Sequence, residues 1–306
     1  MPGRWRGTGL AAAHRPAPVV RCTGYSPVVT AGDDAHGYDA PGVPESQPPE
    51  SEPGTTLTLP PPSYLRWEIF VVFAVSLGAS GLNALLDLIG ALLSRQSLSS
   101  QQALLVGPLS SVSWFDLVLQ LVSIAEALVP VALVLYLMAR SGERPSVIGL
   151  DASQPAKDLL RGAALAAAIG GAGLGLYVAA FRLGMSLNIV PESLPAVWWR
   201  IPVLLLSAAH DGLLEEILVI GYLLRRLDQL GWTPWKAIAA AAVLRGSYHL
   251  YQGFGAFIGN AVMGVIFGLL YRRWGRVTPL IIAHTLIDAV TFVGYAALVH
   301  KVSWLP

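Results

Sequence analysis

The sequence predicts an all-α, polytopic helical transmembrane bundle of about seven spans (six to eight), preceded by a disordered N-terminal tail. Three observations predict it. Of the 306 residues, 54% are hydrophobic and 13% are charged, against about 25% charged in an average protein. Apolar runs of about 20 residues, long enough to cross a hydrocarbon core, recur along the chain from Trp67 onward. The stretch Met1 to about Pro62 differs sharply, with Pro16, Pro18, Pro48, Pro49, Pro53 and the run Pro60-Pro61-Pro62. It has no helical periodicity and too little apolar surface to build a core. A tail over 1–63 and a membrane domain over 64–306 are therefore expected. The run Leu10–Ala13 is cut off by His14, Arg15 and Pro16, too early for the apolar core of a cleaved signal.

The net charge of +1 gives no footprint for nucleic acid. Cys22 is the only cysteine, so an internal disulfide and a cysteine-rich metal site are both excluded.

The first expected span, about Trp67 to Leu93, carries Asn83 and Asp87 at i,i+4 spacing, which reads as a polar face turned into the bundle. The second, Trp114 to Met138, has Glu126 near its middle, a further candidate for the site, and Pro130, which predicts a kink. The third, Leu159 to Phe181, is dense in small residues (Gly162, Gly170, Gly171, Gly173, Gly175), a signal for close helix packing. Trp198 and Trp199 are expected to anchor the interface before the fourth span. That span, about Ile201 to Leu224, contains Glu215-Glu216. The fifth, Ala237 to Tyr251, carries Arg245 and His249. The sixth is Ala256 to Tyr271. The seventh, Val277 to Leu298, carries His284 and Asp288.

Lysine and arginine set the expected orientation. Taking loops alternately, one side receives Arg66, then Arg140, Arg144, Lys157 and Arg161, then Arg225, Arg226 and Lys236, then Arg272, Arg273 and Arg276. The other receives only Arg95, Arg182, Arg200 and Lys301. An integral protein of the cell membrane with a cytoplasmic N-terminus follows. Counted from that side, Glu215, His249 and His284 lie roughly 12–20 Å deep at about 1.5 Å per residue. Charges at a bilayer centre cost about 2.5–3.5 kcal/mol each on insertion scales. A shared depth for three sets of polar groups therefore points to one buried site.

Within that site Asp211 and Glu215 share a helix face, as do Arg245 and His249, and His284 and Asp288. A buried glutamate beside a histidine suits a general base that deprotonates water. Two histidines and a carboxylate (His249, His284, Glu215) equally suit zinc with an open position. Both routes end in hydrolysis. A non-catalytic membrane scaffold or immunity-type protein, and a proton-coupled transporter, are the alternatives; against transport, no inverted repeat or matching pair of broken helices is evident.

Glu215-Glu216 with Gly221-Tyr222, then Tyr248-His249-Leu250, then His284-Thr285-Leu286-Ile287-Asp288 follow the order and spacing of a known pattern. Over about Ile201 to Val293 the chain resembles the CPBP family of intramembrane proteases, which includes CAAX prenyl proteases and bacteriocin-processing and lysostaphin-resistance-type proteins. The resemblance places a protease-like core at about 200–295. It implies a peptide or protein substrate at the membrane, with Glu215 as base, His249 assisting, His284 and residue 288 stabilising an oxyanion, and Glu216 supporting. It leaves open a glutamate mechanism that needs no cofactor and a zinc mechanism. Two positions depart from the pattern: Ile220 stands where it has Arg, and Arg245 where it has Phe. Arg245 is therefore expected to pair with Glu216 from the neighbouring helix. Asp288 is a third point, because an ionised carboxylate cannot donate to an oxyanion as an asparagine amide does.

Overall fold

The structure, a computed structural model, describes residues 61–298. Nearly all of the expected tail, Cys22 and Lys301 lie outside the described residues. Helix α1 (Pro62–Ala74) begins where proline fits a first helical turn, and α2 (Leu77–Leu93) continues it after a 49° bend. Strand β1 (Gln102–Val106) follows. Helices α3 (Ser113–Ala127) and α4 (Val129–Arg140) meet at Leu128, with Pro130 in the first turn of α4, as the expected kink requires. Then come α5 (Pro155–Arg182), β2 (Asn188–Glu192) and α6 (Arg200–Glu215). A π-helical stretch, Glu216–Leu223, joins α6 to α7 (Leu224–Gln229). The described residues close with α8 (Pro234–Ser247), α9 (Phe254–Trp274) and α10 (Thr278–Leu298).

All seven stretches expected to span are largely helical. By length and apolar composition, four units among the described residues can cross a membrane: α3 with α4, α5, α9 and α10. The bent pair α1–α2 makes five. The helix of the carboxylates and α8 do not meet that measure. The first is interrupted by the π stretch. The second has 14 residues, about 21 Å at 1.5 Å per residue and short of a ~30 Å core.

The π stretch is the centre of the bundle. Every residue from Glu216 to Leu223 is buried, and α4, α8, α9 and α10 all touch it. The sequence accounts for this: Ile217-Leu218-Val219-Ile220 is apolar on every side, which a helix tolerates only when surrounded. Wider π turns recur where a helix presents functional groups, and this one starts at the second carboxylate.

The arginine-rich loops meet at one end of the bundle, as a shared side requires. Arg226, fully buried, donates from Nε to Glu68 and from Nη1 to Glu143, each at 2.8 Å, and so ties α7 to α1 and to the loop after α4. Arg276 donates from Nε to Asp158 at 3.0 Å and from Nη1 to Asp151 at 2.9 Å. Bonds from Ser153, with Arg276 alongside, hold the Asp151 carboxyl below its ordinary range, at about 2.

Two short strands were not expected. β1 and β2 pair in parallel, Gln102 opposite Asn188 and Leu104 opposite Val190. The crossover through α3, α4 and α5 supplies the long connection that a parallel pair needs. Both strands fall between the expected spans, and five residues each leave little periodicity to detect.

Several packing expectations are corrected. The buried face of α2 is Leu77, Gly81, Ala84 and Leu88, so Asn83 and Asp87, one position away, are exposed rather than turned into the bundle. Glu126 is exposed and takes no part in the polar cluster. Trp198 is 81% exposed as an anchor would be, but Trp199 is 1% exposed and donates its indole N–H to Ser113 Oγ at 3.3 Å. Of the glycines on α5, Gly162 presses on Ile282 of α10, whereas Gly171, Gly173 and Gly175 have no neighbour among the described residues within 4 Å of a would-be Cβ.

Candidate active site

Glu215 closes α6 and Glu216 opens the π stretch, so successive residues on the most enclosed helix carry both carboxylates. Helix α10 reaches them because Gly212 lets it. A Cβ at residue 212 would sit 2.5 Å from Thr285 Oγ1 and 3.1 Å from the Ile281 carbonyl. His284, the residue between those two contacts in sequence, thereby meets Glu216.

Arg245 is the hub. Its side chain and that of Glu216 are both 0% exposed. Nη1 donates to Glu216 Oε1 at 2.7 Å, the cross-helix pairing expected from the sequence. Nη2 lies 3.2 Å from Glu215 Oε2 and 3.1 Å from His284 Nδ1. The guanidinium also stacks 5.3 Å from the ring centroid of Phe267 on α9, a cation–π contact. Among the described residues its Nε and the Oε2 of Glu216 have no hydrogen-bond partner. Ile220, where the resemblance expects arginine, is fully buried in the apolar core. The positive charge therefore enters from α8 instead of the glutamates' own helix.

Glu215 has two unlike oxygens. Oε2 accepts the phenolic O–H of Tyr248 at 2.8 Å and faces Arg245. Oε1 faces His249 Nε2 at 4.0 Å. That gap is too long for a direct hydrogen bond, but a water at about 2.8 Å from both atoms fits it. His249 lies just past the end of α8, not within it. Its Nδ1 lies 3.0 Å from the Arg245 carbonyl, so the ring caps the helix as basic residues do at C-termini. A carbonyl only accepts, so Nδ1 carries the proton in this bond and the neutral ring's Nε2 lone pair is aimed at Glu215.

His284 sits between carboxylates: Glu216 Oε1 lies 2.9 Å from Nδ1 and Asp288 Oδ2 lies 3.2 Å from Nε2. Asp211 is paired with His210 at 3.2 Å and interacts electrostatically with Glu215 and Asp288. His249, Asp211 and Asp288 keep partial exposure while Glu215, Glu216, Arg245 and His284 are buried. Access to the cluster therefore lies on the side of the first three.

The structure thus brings together Glu215, Glu216, Arg245, His249, His284 and Asp288. Tyr248 is an addition that residue-type reasoning passed over. Its position three residues after Arg245, on the same helical turn, was the available signal.

As a metal centre the cluster fits poorly. Among the described residues, the trio whose donors close to within 4.8 Å is Glu215, Glu216 and His284, not the His249, His284 and Glu215 set expected from the sequence. The Arg245 guanidinium already bonds or abuts every member of that trio. A divalent ion there would meet a permanent positive charge at contact distance.

No curated protein and no solved structure matches the chain. A family model does: residues 197–290 match the one described as type II CAAX prenyl endopeptidase Rce1-like. That interval begins just before α6 and takes in both carboxylates, Arg245, Tyr248, both histidines and Asp288. The likeness to the Rce1-like type II CAAX prenyl endopeptidases therefore takes in the whole polar cluster and about a third of the chain.

Proposed function

We infer that the chain is an intramembrane endopeptidase that hydrolyses a peptide bond of a prenylated or otherwise membrane-attached protein, using a water activated by Glu215 and His249. The observation that carries this is the 4.0 Å gap between Glu215 Oε1 and His249 Nε2, with the opposite edge of each group already held. Tyr248 and Arg245 occupy Glu215 Oε2, and the Arg245 carbonyl occupies His249 Nδ1. The two free atoms converge on one point at which a water is both oriented and deprotonated. Glu215 takes the water proton as the oxygen attacks the scissile carbonyl, and returns it to the leaving amine. His284 is held at Nδ1 by Glu216, and its Nε2–H, which faces Asp288 at 3.2 Å in the free site, turns to the developing oxyanion. Asp288 then serves to orient His284, not to donate.

The test is cleavage of a quenched-fluorescent prenylated peptide by the full chain in liposomes. Turnover is expected, and chelators should leave it unchanged, because Arg245 stands where an ion would sit. Turnover lost with a chelator and restored by zinc would replace the glutamate route with a metal one. Solute or proton flux without cleavage would transfer the site to transport.

The same reading places the end containing Arg226 and Arg276 in the cytoplasm, at the cell membrane. An impermeant maleimide should fail to label Thr233→Cys in intact cells and label it after permeabilisation. Labelling from outside would invert the orientation.

A further inference from the structure

The two-stranded sheet has one closed edge and one open edge. On the closed side, Ile189 of β2 donates its N–H to the Tyr177 hydroxyl of α5 at 3.1 Å, and Pro191 has no N–H to offer. On the open side β1 has no strand neighbour among the described residues. Asn188 N–H donates to the Gln101 carbonyl at 2.9 Å. In a parallel ladder this turns the N–H and C=O of Gln102 and Leu104 away from β2. Both residues are exposed, Leu104 by 47%. A bare edge is a template for another extended chain, and next to a bilayer its polar groups need a partner more than they would in water.

That edge is anchored to the catalytic cluster at both ends. At one end Leu187 N–H donates to the Gln252 carbonyl at 3.0 Å and Gly255 N–H to the Met185 carbonyl at 3.2 Å. Ser186 and Gly253 form an antiparallel bridge. The approach depends on Gly253, whose φ of +102° and would-be Cβ 2.8 Å from the Met185 carbonyl exclude a side chain. Gln252 is three residues past His249. Ala103 shares an apolar cluster with Leu250 and Tyr251, and Tyr251 interacts electrostatically with Glu215, Asp211 and Asp288. At the other end Leu105 and Val106 pack on the cluster of Val203, Leu204 and Ala208 from α6, which ends in Glu215, and Phe292, one turn past Asp288. The strand therefore runs about 13 Å at ~3.3 Å per residue, from the level of His249 along the helix that bears the base.

We propose that the open edge of β1 is the docking site for the substrate backbone: an extended peptide segment adds to the sheet as a third strand, paired with Gln102 and Leu104, and is delivered to Glu215 and His249. This rests on the endopeptidase reading. Main-chain pairing of this kind gives affinity with little demand on side chains. The occupant is a peptide rather than a second copy, because the outward groups are few, the segment leading into β2 is bonded to the one that follows His249, and Ala103 of β1 packs with Leu250 and Tyr251.

The test has two arms. Hydrogen exchange is measured on the full chain carrying Glu215→Gln, in detergent, with and without a prenylated peptide at saturation. Amides in 102–105 should exchange at least ten-fold more slowly with peptide. In the second arm the wild-type chain is given the same peptide with single N-methyl groups walked along its backbone. KM should rise at every second position, with kcat little changed, a period of two that a merely structural strand would not produce. Leu104→Pro, which removes an outward N–H, should raise KM at least ten-fold while keeping kcat and the unfolding midpoint, whereas Ala103→Pro should lower the midpoint. Cleavage with neither protection nor alternation overturns the edge and leaves the endopeptidase standing. Protection without cleavage by wild type keeps the edge and removes the endopeptidase reading. Neither effect overturns both. Peptide-free dimerisation abolished by Leu104→Pro would assign the edge to a second copy.

Discussion

Glu215→Gln is expected to lower kcat by about 10²–10⁴-fold, the usual contribution of a positioned general base. Gln keeps the shape of the side chain and still accepts the Tyr248 O–H, a bond of 2.8 Å in the native protein. The basicity at Oε1 is lost together with the charge that faces Arg245 at 3.2 Å, but Arg245 keeps its 2.7 Å bond to Glu216, so expression and the unfolding midpoint in detergent should stay near wild type. His249→Ala removes the other atom facing the same gap and should cost a comparable factor. Residues that act as a unit are strongly non-additive, so the double variant should be hardly worse than either single one. Tyr248→Phe separates holding from reacting: it leaves both gap atoms in place but frees Glu215 Oε2, and should lower kcat less than either. A Glu215→Gln chain that cleaved at the wild-type rate would remove Glu215 from the chemistry. Multiplying single effects in the double variant would mean that Glu215 and His249 do not share a water.

The cluster was legible in the sequence because a charge in an apolar run has few explanations. Glu215, Glu216, Arg245, His249, His284 and Asp288 each stand out against leucine, alanine and isoleucine, and i,i+4 spacing grouped them by helix face. Loop arginines then grouped the helices by depth. Where the same reasoning failed, the contrast was missing. Asn83 and Asp87 are polar residues on an apolar helix too, yet they face outward, because one residue's shift in phase separates a bundle face from an exposed one and both faces of α2 are apolar. Trp199 was read from its type, and its burial comes from packing with Val203, Leu204 and Phe292 and a bond to Ser113, 86 positions away in sequence. The β1–β2 pair depends on two five-residue segments separated by three helices, a relation no local pattern encodes. Tyr248 was hidden differently: a tyrosine beside a bundle is ordinary, and only the 2.8 Å bond to Glu215 makes it part of the site.

Arg245→Leu is expected to destabilise the protein by about 3–5 kcal/mol, the cost of breaking a buried ion pair by removing one partner. The reason lies in the count of charges around it. Arg245 bonds Glu216 at 2.7 Å and faces Glu215 at 3.2 Å, and leucine would leave two buried carboxylates side by side without the guanidinium that both face. Apolar Ile220 offers no replacement from the glutamates' own helix. Taking Glu216 to Gln in the Arg245→Leu background removes one of those carboxylates and should recover part of the loss. The coupling energy between the two positions should then fall in the range of about 1–3 kcal/mol typical of residues in contact. The recovery stays partial because Glu215 is still unpaired. Full recovery should need Glu215→Gln as well. The competing assignment makes Arg245 a ligand for a substrate carboxylate. Under it, Arg245→Leu would leave the unfolding midpoint in detergent unchanged and raise KM alone. Thermal unfolding of the four members of the cycle, without substrate, decides between them. A coupling energy near zero would discard the pairing and, with it, the view that Arg245 supplies from α8 the cation that Ile220 does not.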